Sequence, residues 1–210
     1  MVQKSQIMNF FQTDDKLKRE YFDIASVDSM TWLENAELLK LSADLLYENV
    51  LLTYEKRKVA QHTQNNFIIG TINHKRKEID ELEDKLKSFN NTYYLLIGYA
   101  FENVIKGLSI KNNPGLSFKE IYDKHWKKYK FGHGFSDIDK PFISNLSSNE
   151  TKLLERLEKY VIWIGKYPIA KDQNCHSADY DEKYFDSGDK SEIDDLFAKI
   201  RNLLIEKNRS

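Results

Sequence analysis

The chain has 210 residues, 40% of them hydrophobic and 31% charged, enough to bury one compact core and stay in solution. Its 32 basic and 33 acidic residues nearly cancel, which removes the strongest sign of a dedicated duplex-DNA binder while leaving room for a local basic face. A single cysteine, Cys175, excludes an intramolecular disulfide and any multi-cysteine zinc site.

No apolar run approaches the ~18 residues of a membrane span, and the N-terminus lacks the apolar centre of a signal peptide. The expectation is a soluble, cytoplasmic protein with no membrane contact. Eight glycines and three prolines, with almost no β-branched alternation, predict a helical chain. Residues 1–28 are polar and mixed, but Met8, Phe10, Phe11, Tyr21 and Phe22 give them something to bury. They read as an N-terminal arm docking on the body formed by residues 29–210.

Trp32, Ala36, Leu39, Ala43, Leu46, Val50 and Tyr54 recur at three- and four-residue steps, and Leu33, Leu45 and Leu52 widen the stripe. This predicts a long first helix, capped by the Ser29 hydroxyl and ending near Lys58. Phe67 to Ile72 is short and apolar, readable as a turn, a strand or a helix start. The charged run His74 to Lys87 keeps Ile79, Leu82 and Leu86 at helical spacing and predicts a solvated helix with a narrow buried stripe.

Tyr93 to Ile110 is the most apolar segment, and a helix apolar nearly all round belongs at the centre of a bundle. Its two charges, Glu102 and Lys106, stand four residues apart in the order helices favour. Asn112 to Gly115 should end it. Ser117 to Glu120 and Ser147 to Glu150 are capping boxes. Between the helices they open, Gly132-His133-Gly134 breaks the chain, and Phe135 to Ile143 predicts a short helix. The helix after Ser147 turns Leu153, Leu154, Leu157, Tyr160, Val161 and Ile164 inward and stops at Gly165. Ala170 to Lys190 reads as a loop. A last helix, about Glu192 to Glu206, buries Ile193, Leu196, Phe197, Ile200, Leu203 and Leu204. The predicted fold is all-α, a single helical bundle.

Three ordered stretches resemble a prokaryotic HEPN-like family. Trp32-Leu33-Glu34-Asn35-Ala36 opens the long helix. Gly98-Tyr99-Ala100-Phe101-Glu102-Asn103-Val104-Ile105-Lys106-Gly107-Leu108 is similar to the family's central GYALENLLKGL helix. Gly132-His133 leads to Trp163-Ile164-Gly165-Lys166-Tyr167-Pro168-Ile169, similar to its W-x-GRYP signature. The resemblance covers roughly residues 30 to 170. It implies an up-and-down HEPN-like bundle, a homodimer, and a role in bacterial defence or a toxin–antitoxin system, with RNA or nucleotide as ligand and a cognate antitoxin or defence partner. It also implies RNA cleavage without a metal. Catalytic members carry an arginine separated from a histidine by four to six intervening residues, and no arginine precedes His133 at that spacing. The usual arginine before Tyr-Pro is Lys166, which keeps the charge without the bidentate fork.

The candidate catalytic residues are Glu102, Lys106, His133 and Lys166. Glu102 and Lys106 either close a hydrogen-bonded core network or face a cleft where Lys106 holds phosphate and Glu102 positions His133. His133, between two glycines, suits acid–base work at neutral pH or simply caps a turn. Arg57 and His62 form a weak alternative at the far end of the first helix, matching the arginine–histidine spacing outside its usual place. Lys124, Trp126, Lys127, Lys128 and Lys130 form a basic–aromatic cluster able to hold single-stranded RNA, or an amphipathic helix with lysines in water. His125, His133 and His176 lack ligand spacing, and Asp179, Asp181, Glu182 and Asp186 lack calcium-loop order. No metal or cofactor is expected. The alternative function is a non-catalytic helical interaction module acting through dimerisation or a partner protein.

Overall fold

A computed structural model describes residues 15–64, 72–127, 133–134, 144–164 and 189–206, and among them every regular element is a helix. The protein is an all-α helical bundle. The elements are α1 (Asp15–Ala25), α2 (Ser29–Gln64), α3 (Ile72–Lys111), α4 (Phe118–Ile121, continuing as a π-helical turn Tyr122–Trp126), α5 (Ser148–Lys159, continuing as a π-helical turn Tyr160–Ile164) and α6 (Asp189–Ile205).

The arm's α1 reaches the body through Phe22, whose ring meets Phe118 edge-on at 5.4 Å. Against expectation, Tyr21 remains 71% exposed and Phe22 about half so; Met8, Phe10 and Phe11 lie outside the described residues. A tight turn then leads into α2, and its cap differs from the predicted one. The carboxylate of Asp28, not the Ser29 hydroxyl, accepts from the amides of Met30 (3.1 Å) and Thr31 (3.2 Å) and from the Thr31 hydroxyl (2.7 Å). A carboxylate there satisfies orphan amides and meets the positive end of the helix dipole. The Thr31 hydroxyl, against a burial penalty and helped by both amides, holds this carboxyl below its ordinary value.

Helix α2 continues past Lys58 to Gln64. It runs antiparallel to α3, since Trp32 lies near Lys106 while Arg57 bonds Glu83 at 2.6 Å. The charged run and the apolar run, read separately in the sequence, are one 40-residue helix, about 60 Å long at 1.5 Å per residue. No glycine or proline lies between Ile72 and Tyr93 to break it. Ile79 and Leu86 form the narrow buried stripe of its first half, and the second half is enclosed.

Tyr93, Tyr94, Ile97, Phe101, Val104 and Ile105 are the centre of the core. Leu33, Ala36 and Ala43 of α2 close one side, Leu153, Leu154, Leu157 and Val161 of the α5 segment another, and Ile193, Leu196, Phe197 and Ile200 of α6 a third. Both capping boxes form: Ser117 with Glu120, and Ser147 with Glu150. Gly115, at φ 85°, takes the left-handed conformation that ends the α3 turn. Helix α6 starts at Asp189, earlier than predicted, because Asp189 has structural work at its N-terminus. Four expectations about the inward faces fail. Leu45, Leu52 and Tyr54 of α2 point to solvent, and Leu203 of α6 is 38% exposed.

Two polar clusters fix α6. Tyr94 donates to Asp189 Oδ2 at 2.6 Å and Arg156 to its Oδ1 at 2.5 Å. Burial first, and then the Asp189 carboxylate, push the Tyr94 phenol far above its ordinary value. Nearby, Lys40 bridges Asp44 (2.8 Å) and Asp194 (2.5 Å), and Lys190 bonds the same two carboxylates. At the other end, Lys111 Nζ donates to the carbonyls of Leu203, Leu204 and Glu206, closing the C-terminus of α6.

Gly98 sets the α3–α5 spacing: a Cβ there would stand 2.5 Å from Val161 Cγ2 and 3.0 Å from the Leu157 carbonyl oxygen. Gly98→Ala is expected to destabilise the protein by about 1–2 kcal/mol despite alanine's better helix propensity. In urea unfolding, Val161→Ala added to it should recover only part, because the Leu157 carbonyl belongs to backbone. Burial opposes ionisation of Asp194, but hydrogen bonds and charge from Lys190 and Lys40 prevail and hold its carboxyl below the ordinary value. A depressed folded pKa contributes stability above the unfolded value, about 3.9, and that stability is lost as pH falls further. Asp194→Asn should therefore flatten the acid limb of a stability–pH curve below about pH 4.

Candidate active site

Glu102 and Lys106 sit one turn apart on the enclosed half of α3, so helix geometry puts both on one face. Neither reaches bulk water easily: their side chains are 8% and 11% exposed, and Lys106 Nζ lies 2.5 Å from Glu102 Oε1. An isolated buried charge is costly, so the pair forms with good hydrogen-bond geometry or not at all. Two indoles complete the ammonium's surroundings. The Trp126 ring centre is 5.2 Å from Nζ and the Trp32 ring centre 5.9 Å, and the rings meet edge-on at 5.5 Å. Their electron-rich faces stabilise a cation removed from water.

Each indole has its own anchor. Trp32 Nε1 donates to the Ser26 carbonyl at 3.0 Å, and Trp126 Nε1 to the Ser109 hydroxyl at 3.3 Å. Trp126 ends the π-helical turn, where the Lys127 amide bonds back to the Tyr122 carbonyl at 2.8 Å. The wider turn carries the indole into the core. Gly107 permits the approach of α2 on the other side: a Cβ there would come within 3.1 Å of the Ser29 carbonyl oxygen and of Trp32 Cβ.

The third member comes from far along the chain. His133 Nδ1 is 3.1 Å from Glu102 Oε1 and 3.2 Å from Oε2. Facing a carboxylate, Nδ1 carries the proton and Nε2 keeps its lone pair in the neutral ring. The imidazole is 42% exposed, so it joins the buried pair to solvent. Beside it Gly134 is buried. The arrangement is a carboxylate that orients a histidine, with an ammonium holding the carboxylate from behind, and it suits proton transfer at the outer nitrogen.

Three of the four predicted catalytic residues thus meet: Glu102, Lys106 and His133. The expected division of labour changes in one respect. Lys106 is enclosed by Glu102 and two indoles, so it fixes the carboxylate and does not present its charge to a phosphate. Lys166, Lys128 and Lys130 lie outside the described residues. Arg57 is engaged by Glu83, about 28 Å along α3 from Glu102 at 1.5 Å per residue, and His62 is exposed near the end of α2. That pair takes no part in the cluster. Lys124 and Lys127 face solvent, with Lys127 3.6 Å from Asp123. Trp126 is a correction to the basic–aromatic cluster: at 1% exposure it is a core residue, and no base can stack on it. Sequence reasoning missed the two-indole box, since only the π-turn turns Trp126 toward Trp32.

Among the described residues no group of three or more His, Cys, Asp or Glu side chains is placed to hold a metal ion, and no described helix is long and apolar enough to cross a membrane. Replacing Glu102 by Ala leaves a buried ammonium without its carboxylate and should cost about 3 kcal/mol in chemical denaturation. The double variant Glu102→Leu/Lys106→Met should return to within about 1 kcal/mol of the parent, since an apolar pair removes both desolvation penalties. No protein-family model, no curated protein and no solved structure matches this chain.

Proposed function

We propose that the protein is a HEPN-like component of a bacterial defence or toxin–antitoxin system that binds RNA and cleaves it without a metal, with His133 as its acid–base residue. The observation that carries this reading is the contact of His133 Nδ1 with both oxygens of Glu102. It leaves the outer nitrogen of a half-exposed imidazole to meet a substrate. The ordered sequence likeness across Trp32–Ala36, Gly98–Leu108 and Trp163–Ile169 supports the same reading.

In this scheme Nε2 takes the proton of a ribose 2′-hydroxyl as O2′ attacks the adjacent phosphorus. The bond to the 5′-oxygen breaks, and the imidazolium returns its proton to that oxygen. The products are a 2′,3′-cyclic phosphate and a 5′-hydroxyl. Glu102 stabilises the imidazolium and fixes its tautomer, as the carboxylate of a hydrolase triad does, while Lys106 holds Glu102 in place. Charge on the phosphorane needs another cation, and Lys166 is the residue the likeness offers.

A second reading, a non-catalytic helical module working through dimerisation or a partner protein, draws on the enclosure of Lys106 between Trp32 and Trp126. Buried pairs of this kind also serve to fix helix register.

Purified protein incubated with total RNA and chelator distinguishes the two. The nuclease reading expects chelator-resistant cleavage leaving cyclic phosphate ends, reduced at least about 100-fold by His133→Ala. That variant should melt close to the parent, because its ring is only partly buried. Absence of both cleavage and an RNA mobility shift would favour the module. Cleavage that survives His133→Ala would remove this site from the account.

A further inference from the structure

We infer that α2 pairs antiparallel with the α2 of a second copy of this chain, about a two-fold axis passing beside Leu45. This does not rest on the nuclease reading. The starting observation is the outer face of α2, where Leu38, Leu41, Leu45 and Leu52 are 57–63% exposed, with Met30 and Val59 exposed beyond them. Leu38, Leu45 and Leu52 follow at steps of seven residues, and Leu41 fills the intervening turn, so they form one continuous row. From Leu38 to Leu52 the row extends about 21 Å at 1.5 Å per residue. Contiguous apolar surface of this extent on a protein surface marks an interaction site.

The composition of the row selects the occupant. A two-fold interface places the same patch on both partners, so residue i must suit its mirror position j. Taken about Leu45, Leu38 and Leu52 lie seven residues to either side and would face each other. Glu34 and Lys56 lie eleven to either side, so each copy's acid meets the other's base at both ends of the interface. Both are exposed. Farther out, Val59 comes beside the turn carrying Met30. The remaining charges of this face avoid like-sign contact, with Glu48 opposite Ser42 and Glu55 opposite Asn35. A parallel pair would instead set Glu34 against Glu34 and Lys56 against Lys56, which like-charge repulsion disfavours. A self-complementary row with self-complementary charges fits a second copy of this chain better than an unrelated partner.

Sedimentation velocity of the full chain up to about 100 μM should show a dimer. Leu45→Glu sets two carboxylates at the axis and should raise the dimer dissociation constant at least about 100-fold. Its helix content should remain unchanged, because Leu45 lies outside the core. Glu34→Lys should weaken the dimer, and Glu34→Lys/Lys56→Glu should restore it, which a merely hydrophobic association would not do. In a Cys175→Ser background, Leu45→Cys should form a disulfide-linked dimer under mild oxidation. Leu38→Cys should not, since the two copies of residue 38 would stand about 21 Å apart along the antiparallel pair. A monomer throughout the concentration range, a dimer indifferent to Leu45→Glu, or a 38–38 disulfide would each overturn the proposal.

Discussion

Burying a carboxylate and an ammonium inside the most enclosed helix is the constraint on which the rest of this structure turns. Glu102 and Lys106 lie where α2, α4 and the His133 turn converge on α3. Separately, each charge would be too costly to hold there. Together they still need every remaining bonding position satisfied. The neighbouring elements supply those partners: Trp32 from the start of α2, Trp126 from the π-helical turn and His133 from a glycine-flanked bend. Each contributor is anchored in turn, Trp32 to the Ser26 carbonyl and Trp126 to Ser109. The pair therefore organises the junction between arm and body, and His133 is held by the same carboxylate that stabilises the core.

Close packing around α3 depends on two glycines of the same helix. Gly98 lets the end of α5 approach, and Gly107 lets the first turn of α2 approach. Between them lie Glu102 and Lys106, so the helix is tightly flanked at both ends of the cluster. For the proposed acid–base role of His133 this packing matters, because such a group is effective only when held within about 0.5 Å of its working geometry. The α6 clusters serve a different purpose. Tyr94, Arg156 and Asp189 together fix the point where α6 begins, with the Tyr94 and Asp189 side chains buried and Arg156 partly exposed.

Much of this architecture was legible in the sequence, for identifiable reasons. The run from Tyr93 to Leu108 is too apolar on all sides to be anything but central, and the Glu–Lys pair within it stands out at helical spacing, although sequence alone left open whether it closes a core network or faces a cleft. The Ser117 and Ser147 capping boxes rest on local hydrogen bonds that need no tertiary information. What failed was the choice of face on α2. Leu33, Leu38, Leu39, Leu41, Leu45, Leu46, Leu51 and Leu52 surround that helix, so a 3.6-residue period alone cannot say which leucines go inward. The cap was ambiguous because Asp28 and Ser29 are adjacent and equally able to accept from amides. The π-turn at Tyr122–Trp126 has no residue signature, and without it Trp126 reads as one more aromatic on a basic helix.

The two faces of α2 are physically one problem. Its rotation about its own axis is fixed by Trp32 against Lys106 and Trp126, by Lys40 bridging to Asp194 of α6, and by Arg57 bonded to Glu83 of α3. These contacts are distributed along most of its length. Turning the helix by one residue, 100°, would break all three and bring Glu34, Glu37 and Leu41, or Trp32, Asn35 and Leu39, into the places of Leu33, Ala36 and Lys40. The inner contacts thus decide which leucines remain outside, and they hold the outer row straight and pre-formed. A surface already ordered in the single chain loses little conformational freedom on association. The charged groups that secure α2 to the core are therefore also what prepares its outer leucines for a partner.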